Sequence, residues 1–447
     1  MGGTNKGQLW ALLLCGACSV VPARLWGQTP ATAPTPAVRD ATADLVEEET
    51  TDSSDLEVYL ATAMQPAPGG GAPSLSTRGA TGAAPARSSA RPSINRLASA
   101  PDMFGDFFMS GGNLNFNRND TGVPNGQTFG SFTVPGAGGS RRVKIAENNK
   151  AMPTDRLIFS YNHFENALQF TETPLFNPAA AVRQTSPVDR CTIGIEKTFF
   201  DGLYSCEVRM PFVSQFDFQS ASLIGDGGNV GNLALIVKRL LVEDEDFAVV
   251  IGLGIDIPTG NDFLLDDLTT LPAPTRFTFH NDSLHLLPYT GFLLAGDERP
   301  YFINGFLQVD VATAGNRIEA GPVNAAAPQL LGRFNEQNLL FVDLGTGYWL
   351  HRSDAGDGLI TSLAAILEFH YTTSLQDTDV VAANVQGRPV NYRNNFNRFD
   401  ITNVTTGVQA QLFDNTSLRV AGVFPLGSRD DQRFFDSEVQ VQVNRRF

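Results

Sequence analysis

The sequence predicts an all-β chain: an antiparallel transmembrane β-barrel of about 12 strands with a disordered N-terminal tail. Three observations lead there: side-chain character alternates with period two from Arg156 onward, hairpin partners present coincident apolar faces, and short and long connections alternate along the chain. The composition agrees, with 42 Gly and 32 Phe in 447 residues and only 18% charged. No apolar run reaches the roughly 18 residues that a membrane helix needs. A formal net charge of −15 leaves no nucleic acid among the expected partners, because a binder must offset phosphate with its own cations.

Residues 1–27 read as a signal peptide: Lys6 precedes the charge-free stretch Leu9 to Ala23, and cleavage fits after Ala23 or Gly27. Residues 28–102 are a Pro/Ala/Thr-rich linker, too poor in apolar side chains to offset the entropy of ordering. Within it, Ser54-Asp55-Leu56-Glu57 would cap a short helix, either a docking peptide or a transient solvated turn. Residues 103–154 are Gly-rich and are expected to lie in the periplasm, to add strands or to plug the pore in part; residues 155–447 form the barrel.

The first clear strand runs from Leu157 to His163, with Leu157, Phe159 and Tyr161 on one face. In Cys191 to Phe200 and Tyr204 to Phe212 the alternation is joined by Asp201-Gly202, the dipeptide of a type I′ turn. Such a turn pairs positions that sum to 403, so Phe199 meets Tyr204, Ile195 meets Val208 and Ile193 meets Met210. The same register separates Cys191 from Cys206 by about 20 Å, too far for a disulfide. They are expected to be two small apolar residues of one face. Further pairings follow the same arithmetic: Leu233, Leu235 and Val237 with Ile255, Leu253 and Ile251; Leu286 and Phe292 with Val309 and Ile303; Leu340, Val342 and Leu344 with Phe369, Leu367 and Ala365; Leu412, Ala410 and Val408 with Leu418, Val420 and Gly422. The strand from Glu438 closes the chain beside Leu418 to Leu426.

Five connections are short, and the links Glu165 to Arg190, Ser214 to Asn229, Thr259 to Ser283, Ala314 to Asn338 and Thr373 to Arg398 are long. In bacterial barrels the short turns are periplasmic, which puts the N-terminal tail in the periplasm. Lys197, Arg239 and Arg445 fall on apolar faces near that end, where cationic side chains reach the headgroups, and Asp400 falls at the opposite rim.

At this point the stretch from Asp155 to Phe447 resembles bacterial outer-membrane β-barrel proteins. The terminal Phe447, with Val443, Val441 and Val439 in phase, is similar to the signal read by the barrel-assembly machinery; Arg445 departs from that pattern. The segment from Gly252 to Gly260, Gly-Leu-Gly-Ile-Asp-Ile-Pro-Thr-Gly, resembles channels of the meta-pathway phenol-degradation type. The resemblance implies passage of small solutes across an outer membrane, with its lipid and the assembly machinery as partners.

The inward face carries the candidate lumen-lining residues Arg156, Glu196, Glu207, Arg209, Lys238, Asp256, Asp310, Asp343, Glu368, His370, Arg419, Glu438 and Arg446. Seven are acids against five Lys or Arg. Such a lumen would pass polar or mildly cationic solutes, or its charges would pair into a ladder that closes it. Glu196 opposite Glu207 requires a cation such as Arg209 nearby, or a raised carboxyl pKa. Neither GxSxG nor HExxH occurs, and no outward Ser accompanies His163, so no catalytic residue, metal site or cofactor is expected and the chain does not read as an enzyme. Asp262, Asp266 and Asp267 would suit calcium or simply form a solvated loop. The sequence thus predicts a channel for passive or facilitated diffusion of small solutes. The alternative is a structural barrel or anchor whose tail binds a periplasmic partner.

Overall fold

The computed structural model describes residues 96–106, 112–119, 127–134 and 142–447, apart from 175–176, 215–217, 220–222, 229, 270–272, 297–298, 325–326, 354–357, 395, 414 and 429–432. The expected signal peptide with its cleavage site and the short helix expected after Ser54 lie outside the described residues.

Two short strands come first, β1 (Gly112–Asn119) and β2 (Gln127–Val134). The barrel then consists of β3 (Arg156–Pro174), β4 (Val182–Phe199), β5 (Tyr204–Ser214), β8 (Leu233–Glu243), β9 (Phe247–Ile257), β12 (His285–Ala295), β13 (Tyr301–Ala312), β16 (Leu339–Arg352), β17 (Ile360–Ser374), β20 (Asp400–Leu412), β21 (Thr416–Pro425) and β22 (Ser437–Arg446). Every neighbour is antiparallel, and β3 pairs with both β4 and β22, so the twelve strands close on themselves. Closure removes the free edges that an open sheet would expose.

The Asp201-Gly202 hairpin has the anticipated register, with positive φ at both turn residues. Cys206 lies opposite Lys197 and Cys191 opposite Phe212, and both thiols are free. Four other registers differ from the arithmetic. Leu235 meets Ile255, Leu294 meets Ile303, Leu344 meets Phe369 and Ala410 meets Leu418, each an even shift from the expected partner. β-Bulges between Leu240 and Val242 and between Trp349 and His351 alter the count, and Phe413 at positive φ moves the last turn. An even shift keeps every side chain on its face, so the apolar pattern could not detect it.

Most of the long links are not irregular loops. The barrel strands β3 and β4 continue well past the expected rim. The others fold into β6 (Phe218–Gln219), β7 (Leu223–Asp226), β10 (Phe263–Asp267), β11 (Thr275–Phe279), β14 (Asn316–Pro322), β15 (Gln329–Phe334), β18 (Val380–Val385) and β19 (Arg388–Arg393). The first six make a separate sheet, whereas β18 and β19 join β1 and β2 and so reach the far end of β3. These two groups enclose an apolar core with Phe116, Phe132, Phe277, Phe279, Phe334 and Tyr392, which caps the long-connection end. Below the cap a second apolar layer crosses the barrel mouth, where Phe434 and Phe435 from the β21–β22 link pack on Phe164, Phe341 and Phe399.

The outer face is apolar around the whole circumference, with Leu157, Ile193, Val237, Ile251, Leu307, Val342, Leu367, Val408, Val420 and Val439 all exposed. A belt of this extent calls for lipid tails rather than water. Its short-turn border carries Lys197, paired with Asp155 and 5.3 Å from the Phe447 ring centroid, and Arg239, 5.7 Å from that of Tyr204. At the opposite border Asp400 accepts a 2.6 Å hydrogen bond from Tyr371, and Asp189 accepts from Tyr161.

Inside the barrel, a Cβ built on Gly347 would sit 2.0 Å from the Phe302 ring. Gly347→Val should therefore overpack this contact, cost about 1–3 kcal/mol, and lower the temperature at which the heat-modifiable gel band unfolds. In the cap, hydrogen bonds from Arg317 hold the Asp282 carboxyl below its usual range. The stabilisation from this pair is complete above the ordinary carboxylate value near 3.9 and is lost as pH falls through the lowered one. The protection factor of the Arg317 amide, whose N–H also bonds Asp282, should fall only in strong acid, as read by hydrogen exchange corrected for its intrinsic pH dependence.

Candidate functional site

The barrel's interior is filled by the chain itself. Residues 97–106 run inside it from the short-turn end, the β1–β2 hairpin belongs to the cap, and residues 142–154 run back to β3. The two lumenal passes touch through the antiparallel bridge between Met103 and Asn149. The described parts of the Gly-rich segment thus comprise two strands and two buried passes inside the barrel.

Beyond that bridge the threaded backbone has no flanking strand, so its remaining polar groups find partners among wall side chains. Glu368 accepts from the Phe104 and Gly105 N–H groups at 2.7 and 3.2 Å. Gln440 and Gln442 donate to the carbonyls of Gly105 and Phe104, and Gln308 takes both the Ile145 N–H and the Val143 carbonyl. Gly105 has φ +81° and lies against Glu147, where a Cβ would fall 2.6 Å from that residue's Cα. On the other side the contact is apolar: Leu97, Met103, Phe104 and Ile145 pack on Ile236, Leu287, Phe302 and Ile366.

The charges are interlocked. Glu196 and Glu207 do lie opposite each other, and cations hold them apart: Arg156 reaches Glu196 at 2.7 Å and Glu207 at 3.3 Å, Lys238 reaches Glu196 at 3.0 Å, and Arg209 pairs with Glu207. Arg156 also binds Asp102 of the thread at 3.0 Å, and Arg419 stacks 4.1 Å from the Phe104 ring centroid. In the opposite sense, wall acids receive thread cations: Asp343 holds Lys144 and Asp310 holds Arg142. Glu438 accepts from Asn162 at 2.7 Å, and Asp256 is fully buried on β9.

Of the thirteen inward residues taken from the sequence, twelve are thus buried inside the barrel, and Arg446 is half-buried at the short-turn rim. There a cavity of about 20 Å³ borders Asp102, Lys150, Arg156 and Arg446. The residues missed by sequence reasoning are Asp102, Asp106, Arg142, Lys144, Asn148, Asn149 and Lys150 of the thread, with His285 and Glu336. One signal was available: Arg141, Arg142, Lys144 and Lys150 crowd a ten-residue stretch, matching the acid excess of the wall.

Among the described residues, the one grouping with the spacing of metal ligands is Asp106, Asp343 and His370. The ammonium of Lys144 sits on both its carboxylates, so a cation is already supplied. The three aspartates of the Thr259 to Ser283 link do not converge: Asp262 binds His280, Asp266 binds Arg276 and Asp267 binds Thr269. Outward His163 meets Asp189 at 2.6 Å.

No family model matches the sequence, and no curated protein matches it. Solved structures give similarities to outer-membrane barrels. The β domain of the Bordetella autotransporter BrkA is 9% identical, with 66% of this chain and 100% of that one covered at a TM-score of 0.36. For the translocator domain of autotransporter NalP from Neisseria meningitidis the figures are 11%, 66%, 88% and 0.37. For the Pseudomonas putida toluene transporter TodX they are 8%, 65%, 88% and 0.33. Scores this low carry no argument about the present chain; its architecture rests on its own strand pairing.

Arg156→Met should cost about 3–5 kcal/mol, because it takes one cation from three buried carboxylates. Arg239→Met, which alters an exposed cation, should change little. Unfolding of the two variants in urea from lipid vesicles would measure the contrast.

Proposed function

We propose that this protein is an outer-membrane channel for small solutes, closed at rest by its own threaded segment. The observation that supports it is the composition of the seal. Buried ion pairs lose much of their Coulomb energy to desolvation, so a barrel in need only of rigidity would gain more from apolar fill. A charged seal can exchange each protein partner for water when the thread moves, which an apolar core cannot do without loss. On this reading the outer membrane surrounds the belt, residues 28–95 lie in the periplasm, and the assembly machinery reads Val439, Val441, Val443 and Phe447. No catalytic step is assigned.

A second reading, a structural barrel or anchor whose tail binds a periplasmic partner, draws on the stitching of β1 to β19 and of β2 to β3, which ties the thread at the far end. Conductance in planar bilayers separates the two. The refolded full chain should give infrequent current steps. Glu368→Ala, which releases the Phe104 and Gly105 amides, should make them severalfold more frequent. Silence from both proteins, each heat-shifting on gels and hence folded, would leave the anchor.

A further inference from the structure

Two cations of the returning thread occupy matching sockets on the barrel wall. Lys144 Nζ lies 2.7 Å from Asp343 and 5.5 Å from the centroid of the Phe341 ring, and it also pairs with Asp106 of the other pass. His370 Nδ1 contacts the same Asp343 oxygen at 2.8 Å. Two positions away, Arg142 lies 2.9 Å from Asp310 and 3.2 Å from Glu336, while His285 Nδ1 lies 2.7 Å from Asp310. Each socket thus combines a wall carboxylate, an imidazole bonded to it and a cation delivered by the thread.

Apart from Asp106 of the thread and Glu336 of the link before β16, the sockets are built on barrel strands. Asp343 and Phe341 belong to β16, His370 to β17, Asp310 to β13 and His285 to β12, all neighbouring strands. Asp343 is buried, yet its Oδ2 has no hydrogen bond among the described residues, which leaves an acceptor available to a ligand with several N–H donors. A carboxylate beside an aromatic face suits an alkylammonium through a charge-assisted hydrogen bond and a cation–π contact. A pair of carboxylates suits the planar fork of a guanidinium.

We propose that these sockets are binding sites for primary-ammonium and guanidinium solutes, which take the places of Lys144 and Arg142 when the thread shifts. That such solutes then cross the membrane rests on the channel reading; their binding to the sockets does not.

The test separates these two parts. Lys144→Ala and Arg142→Ala, each in the full chain, empty one socket without moving the barrel. Unfolding temperature in detergent should fall in both. Millimolar propylammonium should recover at least half the loss in Lys144→Ala, and methylguanidinium should do so in Arg142→Ala. Propanol and urea, neutral analogues of similar size, should not. Adding Asp343→Asn to Lys144→Ala should abolish the propylammonium effect. The proposal is overturned if the neutral analogues work as well, if the cations stabilise wild type equally, or if a variant that fails to refold alone also fails with its cation. In bilayers, a reversal potential under a salt gradient should show cation preference that Asp343→Asn weakens. Anion preference would also overturn the solute class, whereas successful rescue with silent bilayers would keep the sockets and remove the channel.

Discussion

A polypeptide threaded through a closed barrel must satisfy its backbone without a neighbouring strand, and this requirement organises the interior. Buried N–H and C=O groups left without partners would each cost as much as a lost hydrogen bond. Here the wall supplies the missing partners from side chains, with Gln308, Gln440 and Gln442 and the carboxylate of Glu368 doing what a flanking strand would do elsewhere. Those side chains stand on inward positions of three different strands, β13, β17 and β22, so the thread's path and the barrel's register constrain each other.

Charge follows the same division. The wall presents carboxylates on β13 and β16 to thread cations, a carboxylate on β17 to thread N–H groups, and cations on β3, β8 and β21 to thread carboxylate, amide and carbonyl groups. Each buried charge has an opposite close by in most of this lattice, which is the condition for placing so many ions in a volume screened from water. Outside, the belt is apolar, with cations and hydroxyl–carboxylate pairs confined to its borders. The strand period of two lets one backbone serve both environments.

The outcome for individual elements shows what an alternating pattern can convey. The Asp201-Gly202 hairpin was legible to the residue because a two-residue I′ turn leaves no freedom in the sum of paired positions. The hairpins closing near Asp244 and near Ser353 were legible in face but not in register: their turns sit further along the chain than the apolar pattern placed them, and a one-residue bulge in each restores the phase of the faces. The clash of Glu196 with Glu207 was visible in advance. Arg209 was one of the cations that relieve it; Arg156 comes from the adjoining β3, and Lys238 from β8, on the other side of the hairpin.

Local alternation and turn chemistry thus carry the fold class, the number of barrel strands and the assignment of side chains to their inner and outer faces. That the long links cap the barrel, and that Lys144 and Arg142 meet Asp343 and Asp310, emerges only once the barrel is closed. Those contacts join residues far apart along the chain through a segment without periodicity, and their partners are chosen by the geometry of closure rather than by any spacing along the chain.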